Sequence, residues 1–237
     1  MAIGCSVLTR PLRGLVGHHL RQVRRLAELD VKSPTSPHPV VGFERLLADV
    51  RACTICSAHL PQNPRPVLQV NSKARILIAG QAPGRRVDQS GVPFDDPSGD
   101  RLRLWMDLDK DAFYDPSIIA ILPMGFCYPG WGGGGDLPPR PECAATWRAR
   151  LLDQLPNLQL TLAIGQYAQT WHLKQQRAQA TLTETVRAWR DYWPYVLPLP
   201  HPSPRNNFWF RRNPWFEQEV LPPLRARVKA LRRKTRP

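Results

Sequence analysis

Unbroken apolar runs of strand length, alternating with helical patterns, restrict this chain more than any other feature. Arg75–Gly80 (RILIAG), Ser117–Leu122 (SIIAIL) and Leu158–Gly165 (LQLTLAIG) are three such runs, and Tyr195–Leu199 (YVLPL) is a weaker fourth. Arg101–Leu108, Glu142–Leu155 and Thr183–Trp193 carry helical spacing between them. Strands that are apolar on both faces need cover on both faces, and helices between them supply the crossovers of a parallel sheet. The expected fold is α/β: a three-layer α/β/α sandwich around a short, mostly parallel four-stranded sheet. Ligands of such sheets bind where the strands end at their carboxyl side. The segments after Gly80, Leu122, Gly165 and Leu199 are therefore the candidate site.

The 237 residues suit one domain with tails. Residues 1–40 form a basic leader closed by a Pro/Ser linker at Ser33–Pro39, and no apolar core follows its first basic residues as a secretory signal would require. A disordered leader and an organelle transit peptide both fit it. The folded domain is expected over 41–233, opening with an amphipathic helix on Phe43, Leu46, Leu47 and Val50, and 234–237 is a basic tail. Lys and Arg total 33 against 19 Asp and Glu, a net charge of +14. That excess points to a polyanionic partner, although a basic enzyme of small anions would share it. Basic residues crowd into Arg225–Arg236, read either as a phosphate-contacting helix or as a solvated helix end. No apolar run reaches transmembrane length.

Chemistry gathers after the strands. Gly80–Gly84 (GQAPG) makes a tight turn that brings backbone amides to a ligand. Gly91–Phe94 (GVPF) and Asp95-Asp96-Pro97-Ser98-Gly99 follow, and His201–Asn206 (HPSPRN) leaves the last strand with Pro202 and Pro204 stiffening it. Asp96 is also placed to cap the next helix. Cys53, Cys56, Cys127 and Cys143 form a further set, the last two bracketing a Gly/Pro-rich loop, and Cys5 lies outside it. Four thiolates suit zinc or an iron–sulfur cluster, and simple buried thiols remain open.

Taken together, GQAPG, GVPF and HPSPRN resemble the motifs of the uracil-DNA glycosylase superfamily over about Phe43 to Val228. GQAPG is similar to the first motif of the family-four enzymes of bacteria and archaea, and HPSPRN to the second motif of the single-strand-selective monofunctional uracil glycosylases. The family-four likeness implies a 4Fe–4S cluster on Cys53, Cys56, Cys127 and Cys143. It also implies a monomeric DNA-repair enzyme of the bacterial cytoplasm and nucleoid. Such enzymes flip a nucleotide into a pocket and hydrolyse its N-glycosidic bond. The resemblance gives Phe94 the stacking role and His201 the hydrogen bond to the departing base. Gly80, Ala82, Pro83, Gly84, Ser203 and Asn206 would line the base site.

Two departures follow. Family-four enzymes carry Glu where this chain has Gln81, and other families carry Asp or Asn where it has Ala82. Gln81 accepts no proton at neutral pH and could only orient a water. A related family uses an Asp in an Asp-x-Ser-Gly context, which Asp96–Gly99 resembles, so Asp96 is the expected carboxylate with Asp95 and Asp88 behind it. The Asn that often follows the second strand to read uracil is missing from Pro123-Met124-Gly125. Arg205, Phe208, Trp209, Arg211 and Arg212 are the expected DNA contacts, the aromatics acting as a wedge or else packing in the core. A catalytically weak DNA-binding module that keeps the glycosylase fold is the alternative function.

Overall fold

The computed structural model describes residues 42–173 and 181–233. The readings made on the 1–40 leader, on Cys5 and on the 234–237 tail lie outside the described residues.

Helix α1, Phe43–Arg51, buries Leu46, Leu47 and Val50 on one face, as its spacing requires. Strand β1 (Ile76–Ala79) follows, then the short helices α2 (Arg85–Ser90), α3 (Pro97–Met106) and α4 (Lys110–Phe113), and strand β2 (Ile119–Ile121). A two-residue hairpin pairs β3 (Trp131–Gly132) with β4 (Gly135–Asp136). Next come α5 (Pro141–Cys143), a π-helical stretch over Ala144–Arg148, and α6 (Ala149–Leu152). Strand β5 (Leu160–Ile164), helices α7 (Gly165–His172) and α8 (Leu182–Arg187), and strand β6 (Val196–Leu199) complete the sheet. Helices α9 (Asn207–Arg212) and α10 (Leu221–Arg232) close the described chain.

The sheet runs β2-β1-β5-β6 and every pair is parallel. The α/β reading is therefore what the structure shows. Alternate residues of each strand serve two cores. Ile76 and Ile78 pack with Trp105, Met106, Phe216 and Leu224, while Leu77 and Ala79 pack with Leu47, Val50, Trp147 and Leu151. A fully buried Leu or Ile contributes about 2 kcal/mol, which is why both faces must be covered. Pro198 is tolerated because β6 is an edge strand and its missing N–H faces away from β5.

Helix boundaries differ from the sequence reading for local reasons. Helix α3 starts at Pro97 rather than Arg101, because Asp96 caps it and Pro97 sits in its first turn. The expected helix Glu142–Leu155 is interrupted by the π stretch, and Thr183–Trp193 gives way after Arg187 to a 3-10 turn over Trp189–Asp191. On the terminal basic helix, two arginines turn back onto main-chain carbonyls. Arg225 donates to the carbonyls of Leu104 and Trp105 at the end of α3, and Arg227 donates to that of Gln159 just before β5. Arg75, just before β1, reaches the carbonyls of Leu231 and Arg233. These contacts put the end of α10 at the amino ends of the strands, away from the candidate site.

The strands change direction of travel between β1 and β5: from β1 the chain passes outward to β2, and from β5 outward to β6. A crevice opens at the carboxyl ends of such a switch point. Buried side chains fix the strand exits there. Arg148, 1% exposed, donates from Nη1 to the carbonyls of Leu122 (2.9 Å) and Pro123 (3.2 Å) after β2. Its Nη2 lies 2.7 Å from His172 Nε2. Gln169, fully buried on α7, donates to the carbonyl of Leu199 at 2.9 Å, where β6 ends.

Burial, and then the Arg148 charge, pull the His172 pKa down to about 3, so its Nε2 accepts the Arg148 proton. The unfolded chain protonates this imidazole near its ordinary 6.5. Neutral His172 therefore stabilises the fold fully above that value, and the contribution is lost as pH falls toward about 3. We expect stability to drop by roughly 1–2 kcal/mol between about pH 6.5 and about pH 5 on account of this residue. Urea unfolding across that window should show a shallower loss in His172→Gln, whose side-chain oxygen still accepts from Arg148.

Candidate active site

A cavity of about 180 Å³ opens at the carboxyl ends of the strands. Gly80, Gln81, Ala82, Pro83 and Gly84 after β1, Phe94 and Asp96 before α3, and His201, Ser203 and Arg205 after β6 all line it. Ten residues singled out from sequence thus share one wall. Val67, Ser98, Pro123 and Asp136 line it as well, and none of them was assigned to the site from sequence.

Phe94 holds a backbone conformation that side chains rarely adopt, with φ of 57°. Glycines on both sides make room for it. A Cβ on Gly80 would come within 3.3 Å of the Phe94 ring, and one on Gly99 would overlap the Phe94 carbonyl oxygen. Edge-on contact with Phe113, at 6.3 Å between centroids, steadies the ring across the β1 exit. The strain is thus built in to place an aromatic face on the cavity. Asp96 Oδ1 accepts the Gly99 N–H at 2.8 Å, so the capping role is real, and its other oxygen has no hydrogen-bond partner among the described residues. Asp95 is exposed and Asp88 is buried on α2, and neither lines the cavity.

His201 is set by its own loop. Ser203 N–H donates to His201 Nδ1 at 3.2 Å, and Asn206 Nδ2 donates to the His201 carbonyl at 2.8 Å. Burial lowers the imidazole pKa, with nearby Asp96 opposing. The ring is therefore neutral, Nδ1 is the acceptor, and Nε2 carries the proton. Asn206, expected to touch the base, instead holds the loop and lies outside the cavity lining. Arg101 on α3 braces the loop from outside through the Ser203 carbonyl and Asn207 Oδ1.

The β3–β4 hairpin covers one side of the cavity. Gln81 Nε2 donates to the Leu137 carbonyl, and Leu137 N–H donates to Gly130 at 2.9 Å. Arg205 lies over the exposed Trp131 ring at 4.7 Å. Burial raises the carboxyl pKa of Asp136 on β4, Arg205 opposes this, and Asp96 adds to it. The run Gly132–Asp136 (GGGGD) was the available signal, but it reads as a flexible loop until the hairpin is seen.

The expected aromatic wedge divides. Trp209, partly buried, packs against Phe210, Trp215 and Phe216 and donates from Nε1 to Thr183 Oγ1 at 2.8 Å, so its ring lies against the core. Phe208 is 56% exposed, with the Arg212 guanidinium over its ring at 4.3 Å. Arg211 and Arg212 are exposed on α9 beside it. The outward aromatic–cation groups at this end are thus Phe208 with Arg212 and Trp131 with Arg205.

Cys53, Cys56, Cys127 and Cys143 line a second, smaller cavity with Gly125, Phe126 and Trp147. Two N–H groups point at its sulfurs: Trp147 Nε1 to Cys53 Sγ at 3.2 Å and Phe126 N to Cys143 Sγ at 3.3 Å. Burial pushes the Cys127 thiol up to about 11 and the Cys143 thiol up to about 12. Among the described residues no three His, Cys, Asp or Glu side chains are grouped as ligands of a single metal ion.

The Phe94 arrangement generates a prediction. Gly99→Ala has no room for its methyl against main chain, so α3 or Phe94 must move. Forced overpacking of this kind costs about 1–3 kcal/mol. Thermal unfolding should show the loss. Gly133→Ala, at an open position with nothing within 4 Å, should leave stability near wild type and serves as the control.

The sequence model of the uracil DNA glycosylase superfamily matches residues 68–225, a span that takes in all four strands of the parallel sheet, all three proline-bearing motifs and most of the cavity wall. With a parallel sheet, a strained aromatic and a loop-held histidine converging on the cavity that this match covers, the chain belongs to the uracil DNA glycosylase superfamily.

Proposed function

We propose that the protein is a monofunctional DNA glycosylase. It would hydrolyse the N-glycosidic bond of uracil or a related deaminated base, leave an abasic site, and so begin base excision repair. The observation that carries this reading is His201. Its Nδ1 is occupied by Ser203 N–H, its ring is neutral, and Nε2–H is the donor left for the cavity.

The chemistry follows from that placement. A flipped base stacks on Phe94 between Gly80–Gly84 and the His201 loop. As the glycosidic bond breaks, its electron pair leaves with the base, and negative charge collects on the carbonyl oxygens. A fixed Nε2–H donor stabilises that charge without reorganising at the moment of reaction. Positive charge grows on the sugar, where the free oxygen of Asp96 contributes negative potential. Phe208, Arg205, Arg211 and Arg212 would meet the DNA backbone and fill the gap left by the flipped base.

The cysteines support the family-four likeness. Four sulfurs around one small cavity, two of them receiving N–H donors, suit a 4Fe–4S cluster, which needs its thiolates spread around a cage, one to each iron. Such a cluster would tie α1, the loop after β2 and α5 together. Anaerobically purified protein should then contain iron and absorb broadly near ~400 nm. Cys143→Ser should lose both, while Cys5→Ala should keep them. Colourless, iron-free protein made under cluster-assembly conditions removes this part of the reading.

For the reaction itself, uracil release from labelled single- and double-stranded oligonucleotides is the deciding assay. His201→Ala should lower the single-turnover rate on the order of 10²–10³-fold, the usual cost of one preorganised donor, with DNA affinity kept. If wild-type protein releases no uracil, hypoxanthine or xanthine from any DNA, the chain is instead a binding module that retains the fold.

A further inference from the structure

The first-motif position holds Gln81, which cannot take a proton, yet hydrolysis needs a group that orients water at the sugar and accepts its proton. Two carboxylates line the cavity, Asp96 and Asp136. Asp96 spends Oδ1 on the α3 cap. Asp136 is set differently. Its Oδ2 sits over Gly84, 3.4 Å from where a Cβ of that residue would be, so it lies against the first motif.

The hairpin carrying Asp136 is built to tight tolerances. Trp131 pairs with Asp136 and Gly132 with Gly135. A Cβ on Gly132 would press on the Leu137 side chain at 2.9 Å, and Gly135 has φ of +149° with the Arg205 guanidinium beside it. Arg205 in turn stacks on Trp131. Gln81 holds the carbonyl of Leu137, the residue after Asp136. Thus a neutral amide in the first motif positions the strand that bears the acid.

We propose that Asp136 is the catalytic carboxylate on the sugar side of the reaction. This assignment rests on the glycosylase reading. The C1′–N bond breaks and its electron pair leaves with the base, which the His201 donor stabilises. A water oxygen then bonds to C1′, and its proton passes to the Asp136 carboxylate and on to solvent, where the base anion is protonated. The Arg205 charge opposes the burial that raises the Asp136 carboxyl pKa. Asp96 just before α3 and Arg205 after β6 are the charged groups whose fields reach it, and its own charge reaches Tyr128.

The test is single-turnover base release by the full chain, with binding measured separately on an oligonucleotide carrying uncleavable 2′-fluoro-deoxyuridine. Asp136→Asn and Asp136→Ala should lose on the order of 10²-fold or more in rate while keeping affinity for the uncleavable DNA. Added formate should restore part of the Asp136→Ala rate, a response that a merely structural role would not give. Asp96→Asn should lose less rate and more thermal stability, because it disturbs the cap. An active wild type with a near-normal Asp136→Asn rate, or an Asp136→Ala variant that formate does not rescue, overturns the assignment alone. A wild type that releases no base overturns the glycosylase reading, and this role falls with it.

Discussion

The β1–β2 hydrogen-bond ladder does not stop where the strands stop. Leu122 N–H donates to Ile78, Met124 N–H to Gly80 at 2.9 Å, and Gly125 N–H to Gln81 at 3.0 Å. The first motif and the segment leading to Cys127 are therefore one main-chain assembly. Val67 N–H donates to the Phe126 carbonyl at 2.7 Å and clamps the far side. Because Phe126 N–H also reaches Cys143 Sγ, a displacement of the cysteine site would be passed through the same peptides to Gly80 and Gln81. The sulfur cavity and the cavity at the strand ends are mechanically one structure, although they share no lining residue.

Arg148 completes that coupling from below. It crosses from the π stretch to the carbonyls that β2 leaves unpaired, with the Trp171 ring under its guanidinium at 4.9 Å. A cation this buried is costly unless its donors are satisfied. Leu122, Pro123 and neutral His172 take its Nη protons, while Nε has no partner among the described residues. Gln169 does the neutral equivalent at the end of β6, one residue before the Pro200–His201 turn. Thus the loops that carry chemistry leave the sheet from fixed points, and His201 inherits its position from Gln169 as much as from its own prolines.

How much of this was legible depends on how local the signal is. The parallel sheet could be read because an apolar run such as RILIAG needs no partner to announce burial on both faces. GQAPG, GVPF and HPSPRN could be read because turn chemistry is written in adjacent residues. Asp136 could not, since only the pairing of Trp131 with Asp136 turns a glycine run into a hairpin that faces Gly84. Trp209 and Phe208 are neighbours with the same apparent chemistry. Which one packs inward depends on the phase of α9 against Phe216, and six residues give too little periodicity to fix it. Helix α2 was missed because its sequence, RRVDQS, shows almost no apolar stripe.

Charge was the least transferable signal. The net +14 points to a polyanion, and the densest basic run lies at Arg225–Arg236. Yet within that run Arg225 and Arg227 turn back onto carbonyls of α3 and of the segment before β5, at the end of the sheet away from the cavity. Arg103 and Arg148, both buried, likewise serve the interior. Among the described residues Arg205 lines the cavity and lies over Trp131, Arg85 and Arg86 are exposed just after cavity-lining Gly84, and Arg212 lies over Phe208 on α9. Each of the two stacked guanidiniums covers an aromatic ring with its face. The net charge thus says little about where the cations stand, since several of the arginines serve the interior and others sit on aromatic rings.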